Sequence, residues 1–132
     1  MSVFVDTSAL FALVDGDDAN HTGSHKLWAR LLADRSTLVT TNYVLLEAYA
    51  LLQRRIGMDA IRDFSNDFAT ALDVLWVSAE THRSALAAVL AANRRDLSVI
   101  DCVSFQIMRD NGVRAAFCFD KHFSEQGFEV IG

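Results

Sequence analysis

Proline is missing from this 132-residue sequence, so its helix and strand boundaries have to be set by polar caps and by six glycines. Lysine is nearly missing as well: ten of the 12 basic residues are arginine. A net charge of −5 counts against nucleic-acid binding, yet arginine presents the planar fork of donors that suits phosphate oxygens. The pairs Arg54-Arg55 and Arg94-Arg95 carry that second reading, although any single arginine serves equally well on a solvated helix face.

Cysteine is scarce. Cys102 and Cys118 lie among apolar neighbours without CxxC spacing, which argues against a disulfide or a zinc pair and predicts reduced core thiols. No glycine-rich phosphate loop appears, and no Ser-His-Asp or Cys-His order suggests a covalent nucleophile. The first apolar run, residues 3–14, is broken by Asp6 and has no basic residue ahead of it. That argues against a signal peptide and a membrane span, and predicts a cytoplasmic protein without a membrane partner. Repeats and low-complexity segments are absent too, and 52% hydrophobic residues can fill one core, so a single domain over 1–132 is expected.

Hydrophobic periodicity predicts short apolar strands at 3–5, 38–40, 74–77 and 115–119, with a fifth, edge strand at 129–131. Helices are predicted at 8–14, 21–33, 43–55, 59–71, 79–92 and 99–110. Thr41 or Asn42 caps the third, Ser98 the last, and Gly57 and Gly112 stop the chain where periodicity ends. Strands alternating with helices imply βα units, hence a three-layer α/β/α sandwich with a mainly parallel sheet of four to five strands. Ligands of such folds bind outside the carboxyl ends of the strands.

Four acids fall at that edge. Asp6 and Asp120 are read as directly following strands, and Glu47 and Asp101 sit in the first turns of helices that start there, with side chains leaning toward the helix N-terminus. Crowded carboxylates raise one another's pKa and oppose folding. A hard divalent ion, Mg²⁺ or Mn²⁺, resolves the conflict, so Asp6, Glu47, Asp101 and Asp120 are expected to be both metal ligands and catalytic residues. Capping duties compete for three of them: Ser98 and Asp101 form a capping box, and Asp6 and Asp120 can each cap a helix. Ser8, Asn42, Asp96 and Ser104 stand behind these acids, where they can orient a carboxylate or touch substrate. His21 and His25 have i, i+4 spacing without a catalytic acid and read as a solvated helix start; His82 reads as a helix-surface residue, and His122, two residues beyond Asp120, as a structural one that could instead face the site and contact a phosphate.

The chain resembles the PIN-domain nucleases, and among them the VapC-like ribonuclease toxins of type II toxin-antitoxin modules. The resemblance rests on Val5-Asp6-Thr7-Ser8-Ala9-Leu10, on residues 40–47 ending in Glu47, on residues 97–105 around Asp101, and on Phe119-Asp120-Lys121-His122-Phe123 with Gly127-Phe128. It implies a PIN-like fold and a metal-dependent endoribonuclease whose water attacks the phosphodiester to leave a 5′-phosphate and a 3′-hydroxyl. It also implies a homodimer and a small antitoxin partner. Cys118 departs from the pattern, since relatives often carry Thr or Ser two residues before the last acid.

Two other readings compete. A receiver-like phosphoacceptor domain is also acidic and α/β, but it resembles others of its kind in an acidic pair after the first strand, where Asp6 stands alone. A catalytically silent PIN binding module would have lost acids that are all present here. A haloacid-dehalogenase-type phosphatase needs a second Asp where Ser8 stands.

Overall fold

In the computed structural model, which describes residues Met1–Gly132, the strands are β1 (Ser2–Val5), β2 (Thr37–Thr41), β3 (Asp73–Leu75), β4 (Ala115–Phe117) and β5 (Glu129–Ile131). They form one five-stranded sheet in the order β3-β2-β1-β4-β5, every pair parallel. The central strand β1 is continuously apolar because both its faces are covered: Val3, Phe4 and Val5 are fully buried.

The connecting helices are α1 (Thr7–Val14), α2 (His21–Ala33), α3 (Asn42–Arg55), α4 (Met58–Asp67), α5 (Ala79–Ala92), α6 (Val99–Asp110) and the single turn α7 (His122–Glu125). The crossovers from β1 to β3 carry α1 to α4, which pack on one another, and the right hand that such parallel connections take puts them on one face of the sheet. The return from β3 to β4 passes over the other face, where α5 packs on α6. One cluster of 31 buried apolar residues joins both layers to the sheet. No helix is long and apolar enough to cross a membrane.

Caps set the boundaries that proline does not. The Thr41 hydroxyl accepts from the Val44 N–H at 3.1 Å, and Ser98 and Asp101 close the predicted capping box at the start of α6. Ser98→Ala should cost about 1 kcal/mol, read as a lower urea midpoint at unchanged slope. A midpoint equal to that of the parent would mean that Asp101 alone holds the helix start.

Three boundaries differ from the sequence reading. The predicted helix 59–71 breaks at Phe68, which leaves helical geometry to bury its ring against Trp28 and His25, and a 3₁₀ turn at Ala69–Ala71 follows. The third strand stops at Leu75, because the Val77 N–H turns out of the ladder to the Asn42 side-chain carbonyl at 2.8 Å. The fourth strand stops at Phe117, so Asp120 comes three residues past its end and does not follow it directly.

Candidate active site

Asp6 follows the last residue of β1 and caps α1. Its N–H donates to the Phe117 carbonyl at 3.0 Å, and its Oδ2 accepts from the Ser8 N–H at 3.3 Å and the Ser8 hydroxyl at 2.8 Å. Ser8 Oγ in turn accepts from the Phe119 N–H at 3.0 Å, which ties the start of α1 to the turn after β4. The Thr40 hydroxyl donates to the Val5 carbonyl at 2.9 Å and fixes the strand end just ahead. Asp6 is 6% exposed. Burial, reinforced by the charge of Asp101, pushes its carboxyl up to about 6 although the Ser8 bonds pull the other way.

Asp101 is the third residue of α6. Its Oδ2 accepts from the Ser98 N–H at 3.2 Å while its own N–H donates to Ser98 Oγ at 3.0 Å. Burial raises its carboxyl pKa and the nearby charge of Asp120 adds to the rise, against the Ser98 bonds. Capping and membership of the acid group are therefore roles of one side chain.

Asp120 accepts the His122 N–H on Oδ1 at 2.9 Å, an Asx turn that folds the histidine back over its own carboxylate. His122 is 7% exposed. Its Nδ1 stands 2.7 Å from Asp120 Oδ1 and 3.8 Å from Asp101 Oδ2, without the direction a hydrogen bond needs. Its Nε2 lies 3.1 Å from Asp96 Oδ2. Asp96 is gripped from outside by Arg94, Nε to Oδ1 at 3.2 Å and Nη2 to Oδ2 at 3.0 Å, and Arg94 reaches Glu125 at 3.3 Å. The Arg94 fork, then the bond to His122, hold the Asp96 carboxyl well below the usual carboxylate range. The bond to Asp96, with the charges of Asp120 and Asp101, lifts the His122 imidazole above its ordinary value.

Asp101, Asp120 and His122 thus each offer a ligand atom within 4.8 Å of the others. Asp6 is coupled to this group through Asp101. Glu47 stands apart: half buried on α3, it lines a shallow groove with Tyr43, Leu46, Ala50 and Ile100, the last in the first turn of α6 beside Asp101. The structure brings three of the four predicted acids together and leaves the fourth at the rim.

The supporting residues divide. Ser8 orients Asp6, and Asp96 orients His122. The carbonyl of the Asn42 side chain is committed to Val77, so it joins α3 to the end of β3 and does not face a carboxylate. The Ser104 hydroxyl is fully buried and makes no hydrogen bond, so it orients none of the acids. Burial, with the charges of Asp6, Asp120 and Asp101, pushes the Cys118 thiol up to about 12, which leaves it protonated and inert.

His122 takes the second of its two sequence readings, facing the acids, while His82 is exposed on α5 and His21 and His25 stand at the start of α2, as read. His122 sits at the centre of the acids, and the one local signal for it was the two-residue spacing from Asp120 that permits an Asx turn. His21 and His25 bond the Ala12 and Leu13 carbonyls, each at 2.8 Å, and so satisfy the open C-terminal end of α1. His82 pairs with the Tyr43 hydroxyl across the gap between α5 and α3.

The PIN domain family model matches residues 3–129 of this chain. The 23S rRNA-specific endonuclease VapC20 of Mycobacterium tuberculosis, from strain CDC 1551 / Oshkosh and from strain ATCC 25618 / H37Rv, is 35% identical over 130 residues, 98% of this chain and 97% of its own length. The crystal structure of Mycobacterium tuberculosis VapC20, described as a Sarcin-Ricin loop cleaving toxin, aligns at TM-score 0.83 and 35% identity over 96% of this chain and 95% of that one. FitAcB from Neisseria gonorrhoeae shares the fold at TM-score 0.69 and 8% identity, over 100% of this chain and 97% of that one. A family match over nearly the whole length, a similar whole-length relative and a parallel sheet with acids at its carboxyl edge agree: the chain belongs to the PIN-domain family, on its VapC-like branch.

Proposed function

We propose that this chain is a divalent-metal-dependent endoribonuclease, the toxin of a toxin-antitoxin module, with Asp6, Asp101, Asp120 and, at the rim, Glu47 as its catalytic and metal-holding residues. The observation that carries the reading is charge: Asp6, Asp101 and Asp120 converge on one edge with His122 as the only cationic group among them. Carboxylate oxygens in that number suit Mg²⁺ or Mn²⁺, hard cations that prefer oxygen donors. A bound divalent cation supplies Lewis acidity toward the phosphate and a more acidic water, so that hydrolysis leaves a 5′-phosphate and a 3′-hydroxyl.

The chain's own residues supply the rest. Ser8 places both its bonds on Asp6 Oδ2 and thereby fixes the plane of that carboxylate. Arg94 and Asp96 hold His122, which keeps Asp120 from swinging into solvent. Burial of Asp6 keeps water from competing for its oxygens.

Similarity to an endonuclease specific for 23S rRNA makes a structured ribosomal RNA loop the substrate class of first choice, reached in the cytoplasm. A homodimer and a small antitoxin are the expected protein partners. Exposed apolar side chains support this, Leu46 at 71%, Leu90 at 69% and Trp76 at 76%, on α3, on α5 and just past β3.

The test is cleavage of a labelled hairpin copying that loop, beside an unstructured RNA, in Mg²⁺ or Mn²⁺ and in EDTA. Discrete cuts in metal and none in EDTA are expected. Equal cutting in EDTA overturns the metal assignment, and no cutting under any metal overturns the nuclease reading.

A further inference from the structure

A cavity of about 520 Å³ opens between α2 and the turn after β4, lined by Ala19, Asn20, Gly23, Leu27, Arg30 and Phe119, with Gly132 beside it. It lies next to the acids through Phe119. That residue precedes Asp120 in the chain, and its N–H bonds the same Ser8 hydroxyl that bonds Asp6.

The walls have separate chemistries. The Phe119 ring is 36% exposed and is held at 73° to the buried Phe117 ring, with 6.2 Å between centroids. Leu27 is buried at the floor, and Gly23 has nothing within 4 Å of where a side chain would start, so the mouth stays open. Asn20 and Arg30 are both exposed, and Arg30 belongs to none of the ion pairs among Lys, Arg and acidic side chains. An aromatic face, an amide and an unpaired guanidinium around one opening match the three parts of a nucleotide: a π-face to stack, a base edge with donors and acceptors, and a phosphate.

We propose that this cavity is a nucleoside subsite that takes one unpaired base of the RNA beside the cleaved phosphate. The base stacks on Phe119, its edge reaches the Asn20 amide, and the adjoining phosphate reaches Arg30. The proposal rests on the ribonuclease reading and adds where the enzyme holds its substrate. Stacking tolerates any base, so Phe119 contributes affinity while Asn20 contributes choice among bases.

The experiment measures binding of a fluorescent short single-stranded RNA, and of an abasic ribose-phosphate chain of the same length, to the Asp6→Asn protein in Mg²⁺. Added Phe119→Leu should weaken binding of the base-bearing RNA about tenfold and leave the abasic chain unaffected, while Phe119→Trp keeps the affinity. Arg30→Gln should weaken both and lower the salt slope by about 1. Equal loss on both chains with Phe119→Leu, or none on either, overturns the subsite and leaves the nuclease reading standing. Failure of the parent protein to bind or cut any RNA overturns both.

Discussion

Asp6→Asn should lower RNA cleavage by about a thousandfold or more and at the same time raise the melting temperature of the metal-free protein near neutral pH. The loss follows from removing a charged oxygen donor whose share in neutralising the transition state is worth several kcal/mol. The gain follows from linkage. The Asp6 carboxyl moves from 3.8 to about 6 on folding, mainly through burial, so the folded state binds this proton more tightly than the unfolded chain does. Stability from this group is therefore fullest below pH about 4, falls as pH rises toward about 6, and stays reduced above it. The penalty near pH 7 is about 3 kcal/mol, at about 1.4 kcal/mol for each pH unit of displacement. Asparagine keeps the shape and an oxygen for the two Ser8 bonds while discarding the charge. Thermal melts in EDTA should show the variant higher by several degrees near pH 7, with the difference gone near pH 4. An unchanged melt near pH 7 would mean that Asp6 is not held in a charge-hostile pocket, and undiminished cleavage would remove it from the reaction.

Phe123→Ala should cost about 4 kcal/mol, a large part of the stability of a domain of this size. Phe123 is fully buried and meets Phe105 edge-to-face at 5.0 Å, with Phe4 at 6.2 Å and Phe128 at 6.4 Å between centroids. It also anchors a helix too short to hold itself, since α7 has only four residues. That helix begins at His122, and Asp120 lies two residues ahead of it, so the cavity left by the ring loosens the acid group as well as the core. Urea unfolding should show a much lower midpoint at unchanged slope, and the melting-temperature rise given by Mn²⁺ should shrink in the variant. A cost below about 1 kcal/mol would show that Phe105 and Phe128 close over the gap. An undiminished response to Mn²⁺ would separate the core role of Phe123 from the site.

The sequence by itself determined the alternation of strands and helices, the edge at which Asp6 and Asp101 lie, and the caps. Each of these is local: side-chain period reports which face of an element is buried, and Ser98 finds Asp101 within one helical turn. Tertiary structure alone decided which groups meet. Asp96 and His122 are 26 positions apart and Tyr43 and His82 39, and no period in the chain encodes such pairs. They exist because the loop ahead of α6 and the short helix α7, which belong to successive crossovers, come to the same edge of the sheet, and because α5 comes to rest beside the start of α3. The same packing moved Glu47 to the rim and set Phe119 as a cavity wall beside Asp120. Distances between remote side chains are fixed by how whole elements pack, and packing is a property of the assembled core, not of any one segment's pattern.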